Sequence, residues 1–202
     1  QCISKEGELG FPVRWHWGWP EGDPSQVKGY PFIGFGQDPW RPASTTPSLP
    51  RKVADLASLS VDYSLTLAAE GAYNLAFDIW ITSEAGVTTP PEANVTREIM
   101  IWLDSTEGAQ LAPLVEEVTI EGEAYSFHAA LGATDASYTR DYLAFVKAEP
   151  EHTGSTNVVA FLTYLVENGY LTAGEYVRNV FLGNEVRFGT GELTLDEFVV
   201  TA

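Results

Sequence analysis

The chain has 202 residues, 45% of them apolar and 12% aromatic, which is enough for a single domain spanning residues 1–202 and too apolar for a disordered chain. Eleven Lys and Arg against 28 Asp and Glu give a formal net charge of −17, which disfavours nucleic acid and anionic membrane as partners and leaves neutral polymers open. No stretch approaches the ~20 apolar residues of a membrane helix, no signal peptide is visible at Gln1-Cys2-Ile3, and Cys2, the one cysteine, cannot close an internal disulfide.

The dominant pattern along the chain is period-2 alternation bounded by Gly, Pro, Asn and Ser clusters, the signature of strands and turns. It predicts strands at Val13–Trp19, Pro31–Gly36, Val61–Ala68, Tyr73–Thr82 and Arg97–Asp104 in the first half. In the second half it predicts Leu114–Ile120, Glu123–Leu131, Asp141–Ala148, Tyr176–Gly183 and Glu192–Thr201. Between Asp141–Ala148 and Tyr176–Gly183 lies one helix, Asn157–Asn168, where Val158, Phe161, Leu162 and Leu165 make a single apolar face. Ser155, Thr156 or Asn157 is placed to cap its start, and Gly169 suits its end. Arg41–Pro50 and Thr88–Pro91 read as long loops on the same domain. The fold class is all-β, a sandwich or closed sheet with one helix braced on an outer face.

The segment Arg97-Glu98-Ile99-Met100-Ile101-Trp102-Leu103-Asp104 carries the most chemistry. In a strand, Ile99, Ile101 and Leu103 face a core, and Glu98, Met100, Trp102 and Asp104 face the other way. Acids, a thioether and an indole on one face suit a ligand cleft. Tyr73–Trp80 repeats the arrangement, with Asn74, Ala76, Asp78 and Trp80 on its polar and aromatic face. If the two strands are neighbours, Asp78 lies near Glu98. Paired carboxylates favour keeping one protonated, so Asp78 is expected to share a hydrogen bond with Glu98. Near the C-terminus, Gly183-Asn184-Glu185-Val186-Arg187-Phe188-Gly189 sets a third acid in a glycine-flanked segment.

With those residues in view, the chain resembles glycoside hydrolase family 12, the endo-β-1,4-glucanases and xyloglucan hydrolases. The resemblance rests on Gln1-Cys2-Ile3, Val27–Pro31, Tyr73–Trp80, Arg97–Trp102, Asp141–Phe145 and Leu182–Glu185, in the family's order. It implies a β-jelly roll of two packed, curved antiparallel sheets, with an open cleft for a glycan. By position Glu98 matches the nucleophile, Glu185 the acid/base and Asp78 the aspartate that supports the nucleophile. Met100, Trp102 and Pro113 match cleft positions. Tyr30, Asn74 and Phe188 are further candidate contacts, and Trp17 or Trp19 is a candidate stacking platform. The bland alternative for Trp15, Trp17 and Trp19 is a packed aromatic stripe.

The resemblance implies the retaining reaction, with two carboxyl groups about 5–5.5 Å apart across the scissile bond. No metal or organic cofactor is needed. His16, His128 and His152 are scattered, without ligand spacing. The expected product is a secreted monomer acting on a β-glucan polysaccharide. Three departures stand out. The family's N-terminal strand, which carries a sugar-binding Asn and Trp, is not in the sequence. Arg187 stands where the family often has an aromatic, with Phe188 one later. The loop at residues 83–96 is long and proline-rich. Asn94-Val95-Thr96 fits an N-glycosylation triplet. Rival readings are a xyloglucan-specific hydrolase and, from another class, a non-catalytic glycan-binding module.

Overall fold

The structure is a computed structural model, and it describes residues 2–5, 10–19, 21, 23, 25–106, 109, 112–135 and 138–202. The strands are β1 (Cys2–Lys5), β2 (Val13–Trp19), β3 (Phe32–Gly36), β4 (Arg51–Lys52), β5 (Ser60–Thr82), β6 (Val95–Ser105) and β7 (Leu114–Ile120). They continue as β8 (Glu123–Asp135), β9 (Tyr138–Lys147), β10 (Thr153–Asn157), β11 (Tyr176–Val177), β12 (Asn179–Gly183) and β13 (Val186–Thr201). The helix α1 spans Val158–Glu167.

The strands form two layers. In one the order is β1-β2-β13-β5-β10, all antiparallel. In the other it is β3-β12-β5-β6-β9-β8-β7, where β6 and β9 run parallel. Strand β5 belongs to both, its first half to one layer and its second half to the other. This is a β-jelly roll in which a single strand hydrogen-bonds the two sheets into one curved surface.

Sharing β5 requires it to curl. Fourteen extended steps would separate Tyr63 from Phe77 by about 46 Å, yet their rings meet edge-on at 5.4 Å between centroids. The bend falls where Gly71 of β5 opposes Gly189 of β13, with φ of +106° and +109°. A Cβ on Gly71 would sit 2.3 Å from the Phe188 carbonyl oxygen, and one on Gly189 would sit 1.9 Å from that of Glu70. Only glycine fits both the backbone angle and the gap. The alternation predicts two strands here, Val61–Ala68 and Tyr73–Thr82, where the structure has one. Pairing with β13 carries it through.

Through the bend the odd residues keep facing inward. Val61, Tyr63 and Leu65 from the first half join Leu75, Phe77 and Ile79 from the second in one buried core. Trp15 and Trp17 enter the same core from β2, opposite Leu193 and Gly191. Trp17 therefore does not face a ligand: it is 3% exposed and packs on Tyr73. The expectation that it stacks on sugar is corrected. Gly191 leaves the space its indole fills, since a Cβ there would lie 2.1 Å from the ring. Trp19 also packs against this core, so the aromatic stripe is structural.

Helix α1 covers the core face of the second sheet, the side away from the cleft described below. Phe161 meets Tyr125 and Phe145 edge-on at 5.1 and 5.0 Å. Val158, Phe161, Leu162 and Leu165 are all buried, as their spacing predicts. Ser155 and Thr156 pair with β5 as part of β10, and Asn157 takes the N-cap position. Its amide donates to Glu121 Oε1 rather than capping the helix. Strands β1, β4 and β10 were not foreseen. They are short and lack alternation; β1 and β10 form on the longer β2 and β5, and β4 pairs with the two-residue β11. Asn94 is buried, and its amide donates to the Gly86 carbonyl at 2.6 Å, so the glycosylation triplet does not present a usable acceptor.

Substituting Gly71→Ala forces an L side chain into the left-handed region against a carbonyl. Backbone strain alone should destabilise the fold by roughly 1–3 kcal/mol. A fall in the urea midpoint measures it. Gly86→Ala, whose Cβ meets nothing within 4 Å, is the control and should leave the midpoint nearly unchanged.

Candidate active site

Strand register assembles the site. In the second sheet Trp80 pairs with Glu98, Asp78 with Met100 and Ala76 with Trp102. On one side Phe181 of β12 lies opposite Asp78. On the other, Tyr142 and Ala144 of β9 lie beside Glu98 and Met100. Residues directly across a ladder share a face. Asn74, Ala76, Asp78, Trp80, Glu98, Met100, Trp102, Tyr142 and Phe181 therefore occupy the face opposite the core, as parity predicts for β5 and β6.

Glu98 is buried on this face, and Arg140 of β9 binds its Oε2 through both Nε and Nη2. The guanidinium also lies over the Trp80 ring, 5.5 Å from its centroid. Arg140 was not foreseen. Arg140 lies just before the Asp141–Phe145 stretch, and the parallel pairing of β6 with β9 brings this arginine to Glu98. The hydrogen bond expected between Asp78 and Glu98 is not formed. Asp78 Oδ2 accepts from Trp80 Nε1 at 3.0 Å, and Oδ1 is buried without a hydrogen-bond partner. Arginine, not aspartic acid, grips the Glu98 carboxylate.

Glu185 sits in the two-residue connection between β12 and β13. Asn74 holds it twice: Nδ2 donates to Oε2 at 2.6 Å, and Oδ1 accepts the Glu185 N–H at 3.1 Å. Asn184 donates to the Asn74 carbonyl at 3.0 Å and accepts from Trp15 Nε1 at 2.9 Å. A core tryptophan thus anchors the loop that carries the acid. Arg187 Nη2 lies 3.6 Å from Glu185 Oε2.

Arg187 is also the extra residue of a β-bulge, because Val186 pairs with Tyr73 while Phe188 pairs with Ala72. Strict alternation would turn Phe188 into the core. The bulge instead puts it on the cleft side, half-buried beyond Glu185. A second irregularity works in the opposite sense. Leu75 pairs with Asp104 while Ala76 pairs with Trp102, so Leu103 is extra and the parity of β6 changes after it. Asp104 leaves the Glu98 face and pairs with His152 Nε2 at 2.9 Å. Its expected place in the cleft is corrected.

The remaining binding candidates divide. Trp102 is on the expected face but fully buried, with Nε1 directed at Met100 Sδ, 3.4 Å away. Met100 is buried with it among Ala76, Ala144 and Val146, and Ala109 packs against this cluster. Both are buried, so neither offers a surface to a sugar. Asn74 is buried and positions Glu185. Pro113 is exposed at the far edge of the sheet, where its carbonyl accepts from Ala129 of β8. Tyr30 is at the site. It stacks on Phe32 at 5.3 Å, and its hydroxyl oxygen is buried without a partner. Two exposed aromatics extend this side. Phe32 stacks on Phe181 at 4.4 Å, and Trp40 meets Trp80 edge-on at 4.8 Å.

The acids feel one another. Burial pushes the Asp78 carboxyl well above its usual range, and the charges of Glu98 and then Glu185 add to this. Burial likewise raises Glu185, opposed by Arg187, Asn74 and Arg140. The phenols of Tyr30 and Tyr142 are raised by burial and then by the same three acids, so both stay protonated donors. One carboxylate held by arginine and two carboxyl groups that burial shifts toward the protonated form, gathered about one sheet face, suit the cleavage of a glycan.

Comparison with known proteins agrees. Residues 9–202 match glycosyl hydrolase family 12, and the chain belongs to that family. It is 28% identical to Endoglucanase S of Pectobacterium parmentieri, over 93% of this chain and 70% of that one. It is 26% identical to the xyloglucan-specific endo-β-1,4-glucanase A of Emericella nidulans, over 100% and 78%. Among solved structures it superposes on the family 12 xyloglucanase of Bacillus licheniformis with a TM-score of 0.89 at 27% identity, covering 98% of this chain and 84% of that one. The family acts on glucan, so the substrate is a polysaccharide.

Asp78 holds its proton to higher pH in the folded chain than in the unfolded one. Its contribution to stability is fully present below the unfolded value of 3.8. It is lost as pH rises toward the folded value, because only the unfolded chain ionises. Asp78→Asn keeps the acceptor for Trp80 and removes that loss. Its unfolding temperature should therefore exceed wild type by a margin that opens as pH rises from about 4 toward 7. Thermal melts at stepped pH check this.

Proposed function

We propose that the chain is a retaining endo-β-1,4-glucanase, with Glu98 as nucleophile and Glu185 as acid/base. The observation that carries this reading is the hydrogen bond from Asn74 Nδ2 to Glu185 Oε2, which ties the Glu185 carboxyl group to the sheet face that also holds Glu98 and Asp78. In the first step Glu98 attacks the anomeric carbon while Glu185 gives its proton to the departing glycosidic oxygen. In the second, water attacks the same carbon, passes a proton to Glu185, and the Glu98 carboxylate departs. Two inversions give net retention. The raised pKa of Glu185 favours its protonated form, as its first role requires. Tyr30, Phe32, Trp40 and Phe188 are the aromatic surfaces available to pyranose faces.

The substrates of this reading are cellulose and mixed-linkage β-glucan, met by a secreted monomer. A second reading, xyloglucan, is favoured by the close superposition on the Bacillus licheniformis xyloglucanase. Reducing-sugar release from carboxymethyl cellulose, mixed-linkage glucan and xyloglucan ranks the three.

Glu98→Gln should abolish release on all three polymers. Glu185→Gln should lower it by roughly 10²–10⁴-fold. Proton NMR of the first-formed product should show the β-anomer. An α-anomer first, or full activity in either variant, refutes the assignment. Wild type that binds glucan and releases nothing marks a non-catalytic binding module.

A further inference from the structure

We propose that Arg140 acts on the second half of the reaction, drawing the Glu98 carboxylate off the glycosyl-enzyme. This rests on the reading of Glu98 as the nucleophile.

The argument starts from where the pair sits. The side chains of Arg140 and Glu98 are 12% and 7% exposed, so water screens their charges little. Two nitrogens of the guanidinium converge on one oxygen, Oε2. The guanidinium is also fixed from beneath by the Trp80 ring, which Asp78 and Trp40 hold in turn. Arginine does not give up its proton in proteins, so this positive charge persists throughout the cycle.

Glu98 does not keep its charge. In the first step the bond from the anomeric carbon to the glycosidic oxygen breaks, a bond from that carbon to a Glu98 oxygen forms, and the carboxylate becomes a neutral ester. Arg140 then faces an ester in a site built for an anion. Glu185 becomes the anion at that stage, but its nearer cation is Arg187, at 3.6 Å. In the second step the carbon–Glu98 bond breaks as water's oxygen bonds to the carbon, and the carboxylate charge returns to Arg140. The ion pair therefore favours the two states with free carboxylate over the covalent state between them. It slows attack and speeds departure. A clamp that merely aimed Glu98 would help both steps alike.

The two steps separate with 2,4-dinitrophenyl 2-deoxy-2-fluoro-β-cellotrioside. Its good leaving group forms the glycosyl-enzyme readily, and its fluorine slows the turnover of that intermediate. The inactivation rate reports attack, and the return of activity after excess reagent is removed reports departure. Arg140→Gln should slow reactivation by roughly 10- to 100-fold, the span of one charged hydrogen bond. Inactivation should be unchanged or faster. Arg140→Lys, which keeps the charge but not the fork, should fall between. Reactivation unchanged in Arg140→Gln, or both rates lowered by the same factor, overturns the proposal. So does failure of either variant to take the label. Wild type that gains no label on Glu98 by peptide mass overturns the nucleophile assignment itself, and that outcome is distinct from the others.

Discussion

The whole architecture turns on the curl of β5 at the apposed glycines 71 and 189. Because one strand serves both sheets, its inward-facing residues build the core on either side of the bend. The alternate residues of its second half, Asn74 to Trp80, then line the cleft. Core and site are thus two faces of the same backbone. Loosening the bend would disturb the aromatic packing of Tyr63 on Phe77 and the seat of the acids together.

Chemistry at the site follows from giving three similar carboxyl groups three different companions. Glu98 has a guanidinium. Glu185 has an amide that is itself tethered to the core through Asn184 and Trp15. Asp78 has an indole N–H and little else. Burial raises the pKa values of the last two, and neighbouring charges modulate the result. Environment rather than residue type assigns the parts.

How much of this could be read beforehand depends on whether the deciding contact is local. Alternation in Tyr73–Trp80 and Arg97–Trp102 displays the cleft face directly, since parity is a property of each strand alone. The helix face was equally legible. What escaped notice was decided between strands. The partner of Glu98 arrives through a parallel ladder from residue 140. Asp104 leaves the cleft, and Phe188 joins it, because single extra residues at Leu103 and Arg187 reverse the alternation. The burial of Trp102 depends on neighbours from other strands, Ala76, Ala144 and Val146, and on Ala109. The stripe of Trp15, Trp17 and Trp19 alternates as a binding face would, and only the facing sheet shows it to be core.

The central place of β13 bears on how the molecule is made. It lies between β2 and β5, yet the ribosome delivers it after every other strand described. Until it emerges, β2 and the first half of β5 each present an open edge with an apolar side, the kind of surface on which nascent chains aggregate. Closure of the first sheet then comes as a late, long-range event, the type that limits folding rate in β-rich topologies. Loss of the final strand would leave a sheet split down its middle rather than one trimmed at its margin.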